Sequence, residues 1–78
     1  MLMKVIVNKP FEQKSYEGVE KISLPSLLGE ATILNDHIPM VADVNGEITL
    51  FYSEERTEKI LTENAIVSVD KDIIEVFC

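Results

Sequence analysis

The sequence predicts an all-β fold, a flattened antiparallel β-sandwich of about eight to ten short strands. Three observations favour this class. Apolar and polar residues alternate with a period of two in several short segments, turn residues separate these segments, and β-branched residues are concentrated in the last of them. The 78 residues contain no internal repeat, low-complexity segment or linker, so we expect a single domain over residues 1–78.

Three strands are predicted in the first half of the chain, over Met3–Val7, Glu20–Leu24 and Glu30–Leu34. Lys9-Pro10 ends the first strand, because proline cannot donate a hydrogen bond to a neighbouring strand. Pro25 is expected to end the second strand for the same reason. The polar residues 35–39 follow the third strand and predict a tight corner.

A β-hairpin is predicted at Asn45-Gly46, because both residues tolerate positive φ values. This hairpin would join Met40–Ala42 to a strand over Ile48–Tyr52. A second hairpin is predicted near the end of the chain, where Ala65–Val69 and Ile73–Phe77 flank a turn at residues 70–72.

The segment Ser53–Ala65 is compatible with two structures. A helix would be capped by Ser53 and would carry a short apolar stripe that ends at Ala65. A strand over Thr57–Thr62 would instead pair back across a loop at residues 53–56. The two threonines are weak helix formers, which favours the strand.

The charge of the chain excludes two classes of partner. Its 14 acidic residues outnumber 7 basic ones, which gives a net charge of −7. The basic residues are dispersed among acids, whereas nucleic-acid binding and adsorption to anionic lipid need clustered lysines and arginines. No apolar stretch is long enough to cross a bilayer, and a lysine stands where a signal peptide would have its apolar centre. We therefore expect an intracellular protein.

Residues that catalyse reactions or bind metals are few. Cys78 and His37 are the only cysteine and histidine, so an intramolecular disulfide is excluded and a zinc site is not expected. The glycines are too far apart for a phosphate-binding loop. Asp36 and His37 form either a catalytic dyad or, as we favour, part of a turn. Acids at 54–55 and 70–72 are expected to be solvated, so neither a catalytic site nor a cofactor is predicted.

Three short motifs make the sequence recognisable, namely Leu24-Pro25, Gly29-Glu30 and His37-x-Pro39. With these motifs at their spacing, the segment Val19–Met40 resembles the epsilon subunit of F-type ATP synthases. The other predicted strands follow in that family's order, so the resemblance extends over essentially the whole chain. Two departures are Asn35-Asp36 in place of the usual Pro-Gly before the histidine, and Glu63-Asn64 in place of a frequent glycine pair.

The resemblance implies a flattened β-sandwich, and it therefore favours strands in Ser53–Ala65. It also implies a position at the foot of the central stalk, where the domain binds the gamma subunit and rests on the membrane c-ring. Many members of the family continue as an α-helical hairpin that inhibits ATP hydrolysis and in some bacteria binds ATP. Because this sequence stops at Cys78, we expect a short form with the sandwich alone, and we transfer neither property.

Two interfaces follow from the resemblance. The c-ring interface would comprise Ser26, Leu27, Leu28, Gly29 and Glu30. The interface with gamma and the ring would comprise His37, Ile38, Pro39, Met40 and Val41. The two leucines would place apolar surface at the rim, as contact sites often do. Without the resemblance, Glu30 is typical of a strand-edge charge and His37 of a turn residue bonded to the backbone.

The expected function is that of a non-catalytic rotor subunit of the central stalk, which couples ion translocation to ATP synthesis. It would bind no cofactor and no nucleotide. It would reach the membrane only through other subunits, on the cytoplasmic face of the bacterial inner membrane. Two other functions stay open, a free-standing β-sandwich adaptor for another partner and, more remotely, a small hydrolase that uses Asp36 and His37.

Overall fold

A computed structural model describes residues 2–26, 29–34 and 37–78. Within these residues, the chain forms seven strands in one hydrogen-bonded sheet. The strands are β1 (Met3–Lys9), β2 (Glu12–Val19), β3 (Lys21–Ser26), β4 (Gly29–Leu34), β5 (His37–Phe51), β6 (Thr57–Lys71) and β7 (Ile73–Phe77). Their order across the sheet is β2-β1-β7-β6-β5-β3-β4.

Two long strands fold this sheet into a sandwich. β5 and β6 are 15 residues each and pair with one another along most of their length. Near the middle, Val44 faces Ala65 and Gly46 faces Thr62, so the single residue Asn45 lies opposite two residues of β6. This arrangement is a β-bulge, which bends a strand and increases its twist. Each of the two strands therefore contributes to both layers of the sandwich.

The first layer contains β2, β1, β7, the second half of β6 and the first half of β5. The second layer contains the first half of β6, the second half of β5, β3 and β4. The predicted all-β sandwich is therefore confirmed. When the halves of each bent strand are counted separately, the described residues contain nine strand segments, which lies within the predicted range.

The core lies between the layers and is built from alternate residues of the strands. Val5 and Val7 of β1 and Leu50 of β5 are at most 2% exposed, as their alternation predicts. One pair departs from the antiparallel prediction: among the described strands, β1 and β7 are parallel, with Val5 beside Ile74. The period of the apolar residues indicates which face is buried, but it carries no information on the direction of the neighbouring strand.

The hairpin predicted at Asn45-Gly46 is wrong. Both residues lie within β5, where Gly46 has a φ of +131° and faces the bulge in β6. The bulge residue Asn64 also has a positive φ, +55°. The Thr62 hydroxyl donates a hydrogen bond of 2.8 Å to the carbonyl oxygen of Gly46, which links the two strands at the bend. Residues with positive φ therefore bend the β5–β6 pair at this point and do not reverse the direction of the chain.

Two other strand boundaries differ from the prediction. β2 is absent from the prediction because most of its side chains are exposed and only Val19 at its end is buried. Such a polar strand is typical of a sheet edge, where charged side chains prevent pairing with other molecules.

Pro25 lies within β3 instead of ending it. β3 pairs with β5 only at residues 21–23, so among the described residues Pro25 has a neighbouring strand, β4, on one side alone. Because no strand lies on its other side, the missing backbone N–H of proline leaves no hydrogen bond unmade there.

The segment Ser53–Ala65 contains a strand and not a helix. β6 begins at Thr57, and residues 53–56 form the predicted loop. Backbone N–H groups of Tyr52 and Ser53 donate hydrogen bonds of 3.0 and 3.3 Å to the carbonyl oxygen of Arg56. The turn near residues 70–72 is also confirmed, since β6 ends at Lys71, with a φ of +56°, and β7 begins at Ile73.

Two tyrosines lie where the edge strand β2 approaches the second layer. Tyr16 of β2 and Tyr52 after β5 are partly buried and pack against the core. Burial raises the pKa of both phenols above the usual value of 10.0, and the nearby carboxylate of Glu58 raises both further. Both effects disfavour the charged phenolate form.

We expect the substitution Glu58→Gln to lower the pKa of both tyrosines, because it removes a negative charge beside each phenol. Absorbance titration of tyrosinate measures this directly, since the chain has two tyrosines and no tryptophan. Because burial raises the pKa of Tyr16, its neutral phenol contributes to the stability of the folded state. This contribution is complete below pH 10 and is lost as the pH rises through the pKa of the folded state. Glu55→Gln, in the exposed loop, is the control, and identical titration midpoints in the two variants would contradict the assignment.

Candidate functional site

The predicted c-ring interface lies at one end of the β3–β4 hairpin. Pro25 pairs with Glu30 and Ser26 pairs with Gly29, so the two strands remain in register up to their ends. Leu27 and Leu28 lie outside the described residues. Strand pairing therefore holds the backbone on both sides of this segment, and the assignment of the segment to the c-ring stays a prediction.

The predicted interface with gamma and the ring lies at the start of β5. His37 pairs with Lys71 and Met40 with Val69, with a shift of register between the two pairs. Three of the five residues in the predicted corner, 37–39, therefore belong to a strand, while Asn35 and Asp36 lie outside the described residues. Within this interface, Val41 is 71% exposed and Pro39 is exposed, whereas Met40 packs against the core.

The first half of β5 forms an edge of the first layer. Among the described residues, it pairs on one side with β6, and β3 pairs with β5 only at residues 49–51 of its second half. An edge strand presents backbone N–H and C=O groups that a partner can reach. His37, Ile38, Pro39, Met40 and Val41 therefore lie on an accessible strand edge.

The two predicted interfaces are separate. β4 lies between them in the chain, and its six residues span about 17 to 20 Å. Gly29 is at one end of this strand, and the other end leads towards His37. The two predicted interfaces therefore lie at a distance from each other.

Acidic side chains that the sequence places close together are mostly solvated. Glu54 and Glu55 in the loop and Asp70 near the last turn are exposed, as predicted. Asp72 is half-buried, and its backbone carbonyl oxygen accepts a hydrogen bond of 2.8 Å from the N–H of Lys4. In residues 2–26, 29–34 and 37–78, no three acidic, histidine or cysteine side chains are placed to hold a metal ion.

A third surface feature is not predicted from the sequence. Four large apolar side chains are 44 to 71% exposed on the outer face of the first layer: Val41, Ile66, Ile73 and Phe77. The register places them near one another, because Ile66 of β6 faces Phe77 of β7, and Val41 lies diagonally from Ile66 across the β5–β6 pair. Half-buried Ile6 of β1 continues this line beside β7.

We call these five residues the apolar strip: Val41, Ile66, Phe77, Ile6 and Ile73. The strip crosses β5, β6, β7 and β1, and acidic residues lie on the same face, namely Asp43, Asp70 and Glu75. One feature of the sequence is consistent with the apolar strip. Ala65-Ile66-Val67 and Ile73-Ile74 are apolar without interruption, which is typical of strands with both faces covered.

An acidic β-sandwich with a strip of exposed apolar side chains has the features of a domain that binds other proteins. Comparison with protein families identifies the domain more narrowly. Residues 2–78 match the family described as the beta-sandwich domain of the ATP synthase Delta/Epsilon chain. The chain belongs to this family.

Solved structures share the fold at low sequence identity. One match is a chain in the central stalk and c-ring of the Tetrahymena thermophila mitochondrial ATP synthase, with a TM-score of 0.76, 15% identity, and coverage of 99% of this chain and 63% of that one. Another is a chain in the OSCP/F1/c-ring structure of the Euglena gracilis mitochondrial ATP synthase, with a TM-score of 0.83, 15% identity, and coverage of 97% and 49%. The chain therefore spans about half to two thirds of the length of these relatives.

Comparison with curated protein sequences gave no match. In the part of the chain that the structure describes, no helix is long and apolar enough to cross a membrane.

Proposed function

We propose that the chain is a non-catalytic rotor subunit in the central stalk of an F-type ATP synthase. It would bind the gamma subunit and the c-ring, so that ion-driven rotation of the ring becomes torque on the catalytic head. The observation that carries this proposal is the family match over residues 2–78. The two solved relatives support it, because one belongs to a central stalk and c-ring structure and the other to an OSCP/F1/c-ring structure.

The separation of the two contact segments also supports the proposal. A rotor subunit must hold two partners at once, and β4 keeps the segment around Gly29 and Glu30 away from the segment that begins at His37. A closely packed sandwich between these segments deforms little under load. Under this proposal, Glu30 mainly orients the docking on the ring, because a charge at the rim of an interface contributes more to encounter and register than to affinity.

The proposed location is peripheral, on a membrane that carries the ATP synthase. A chain with a net charge of −7 is repelled by anionic lipid, so the membrane would be reached through the c-ring. Both solved relatives are mitochondrial, and the bacterial inner membrane expected from the sequence has no support from them. No cofactor, metal or nucleotide is required of the chain itself.

Deletion of the protein is expected to uncouple ATP hydrolysis from ion pumping, because the torque would no longer be transmitted between ring and stalk. The measurement is ATP-driven ion uptake into inverted membrane vesicles, alongside the rate of ATP hydrolysis in the same vesicles. Hydrolysis should persist while uptake falls, and a plasmid copy of the gene should restore the uptake. Normal pumping without the protein would refute the rotor function.

Affinity purification from the native membrane separates this function from that of a free-standing adaptor. Recovery of gamma and the c-ring with the tagged chain is expected. Recovery of an unrelated partner, together with an intact ATP synthase that lacks the chain, would support the adaptor. A nucleotide turnover assay on the isolated chain tests the hydrolase, for which we expect no activity above background.

A further inference from the structure

We propose that Asn45 is a modification site, at which the folded chain undergoes spontaneous deamidation, and that the hydroxyl group of Thr62 limits the rate of this reaction. The dipeptide Asn45-Gly46 lies inside β5, where it forms a bend and no hairpin turn. Its chemistry is independent of the proposed rotor function.

Deamidation is an attack of a backbone nitrogen on a side-chain amide. The nitrogen of Gly46 loses its proton and bonds to Cγ of Asn45, while the bond from Cγ to Nδ2 breaks. Ammonia leaves, and a cyclic succinimide forms. Water then opens the ring at either of its two carbonyl groups. One product is an aspartate, and the other is an isoaspartate, in which the main chain runs through the former side-chain carbon.

The residue that follows an asparagine decides how easily its backbone nitrogen can approach. Gly46 has no side chain, so nothing on its Cα obstructs the attack on Asn45. Asn8 and Asn64 are each followed by a residue that carries a Cβ. The amide of Asn8 is also held in place, because Nε2 of Gln13 donates a hydrogen bond of 2.7 Å to its Oδ1. Deamidation is therefore expected at Asn45 first.

The bend exposes the reacting amide and supplies a hydrogen-bond donor. The side chain of Asn45 is exposed, and it lines an open cleft with Asp43 and Ile66, so water can reach it. The backbone N–H of Asn64 donates a hydrogen bond of 3.4 Å to Oδ1 of Asn45. Negative charge develops on this oxygen when the nitrogen attacks, and a donor at that position stabilises the transition state.

Thr62 restrains the peptide group that must move. Ring closure requires rotation about the Cα–C bond of Asn45, which carries the nitrogen of Gly46 towards Cγ. Gly46 pairs with Thr62, and the Thr62 hydroxyl donates a hydrogen bond of 2.8 Å to the carbonyl oxygen of Gly46. Because both contacts oppose the rotation, the folded chain should react more slowly than the unfolded chain.

Both products would weaken the bend that joins the two layers. Isoaspartate adds one carbon to the main chain between Val44 and Gly46, so the strand pairs on the two sides of the bend cannot both keep their register. Aspartate places a carboxylate between the exposed side chains of Asp43 and Glu47, in a chain whose net charge is already −7. Each modified form is expected to unfold at a lower temperature than the unmodified chain.

Incubation of the full chain at mildly alkaline pH, well below its unfolding temperature, tests the site. Mass spectrometry of peptides detects the replacement of the amide NH₂ group by OH, and methylation by a protein isoaspartyl methyltransferase measures the isoaspartate. Most of Asn45 should be converted while Asn8 and Asn64 keep their amides. If Asn45 stayed intact in the folded chain, or reacted no sooner than the other two, the site would be refuted.

The substitution Thr62→Val tests the restraint, because it removes the hydroxyl and keeps the branched shape. We expect the folded chain to deamidate about fivefold faster, which corresponds to the loss of one hydrogen bond. Thr49→Val is the matched control, the same change at another half-buried position, outside the bend of β5, and it should leave the rate unchanged. Equal rates in the two variants would overturn the role of Thr62. In denaturant all three chains should react at one rate, since each retains Asn45-Gly46.

Low concentrations of urea separate reaction at the folded bend from reaction of the unfolded chain. Urea raises the unfolded fraction steeply before the unfolding transition is reached. A nearly constant rate at Asn45 over this range is expected for a reaction of the folded chain. A rate that rises in proportion to the unfolded fraction would overturn the proposal, because only the unfolded chain would then react.

Discussion

Replacement of Leu50 by alanine is expected to lower the free energy of unfolding by about 2 to 5 kcal/mol. Leu50 is fully buried, and it lies in the second half of β5 between Ile22 of β3 and Glu58 of β6. The substitution removes buried apolar surface and leaves a cavity that a close-packed sandwich fills only in part. Domains of this size have little stability in reserve, so this loss is a large share of the total.

Denaturant unfolding of the isolated chain measures this effect. Leu61→Ala is the matched control, because it makes the same chemical change on the paired strand at a position that is 79% exposed. We expect the control to change the free energy of unfolding by less than about 0.5 kcal/mol. Equal losses in the two variants would mean that the core does not lie between the two layers as described.

The second large effect is expected at Gly46. Its φ of +131° is a conformation that residues with a side chain rarely adopt, and an added Cβ would lie 3.2 Å from Cγ of Pro25. Pro25 is a rigid ring within β3, so it gives way less readily than a flexible side chain. Backbone strain and overpacking together should cost Gly46→Ala about 2 to 4 kcal/mol.

Gly18→Ala provides the comparison for this substitution. Gly18 has a φ of +74°, close to the left-handed region that Asn64 and Lys71 occupy in the same chain, and the nearest atom to an added Cβ is 3.9 Å away. We therefore expect a smaller loss, about 1 to 2 kcal/mol. If denaturant unfolding gave Gly18→Ala the larger loss, the bend at Gly46 would not need glycine.

Local signals account for the parts of the fold that the sequence predicts. The alternation in Met3–Val7 correctly places Val5 and Val7 in the core. The loop at residues 53–56 and the turn near 70–72 also follow from residues that are adjacent in the chain. These predictions succeed because periodicity and turn preference depend on neighbouring residues alone.

The candidate site is predicted less completely. The motifs identify the segments that begin at Ser26 and at His37, but their contacts with c-ring and gamma stay predictions. The apolar strip is absent from the sequence-based expectation because Ile66 and Phe77 are far apart in the chain and become neighbours only when β6 pairs with β7. An apolar residue in a short run looks the same whether it faces the core or a partner.

The sequence by itself determines the all-β class, the period-two core and the family to which the chain belongs. Tertiary structure decides which predicted strand segments join into one continuous strand and which pair as separate strands. Asn45-Gly46 bends a continuous strand because β6 supplies a partner on both sides of the dipeptide, whereas a hairpin would need its own two arms to pair. The same conformational freedom serves either outcome, and the choice depends on hydrogen bonds to residues distant in the chain.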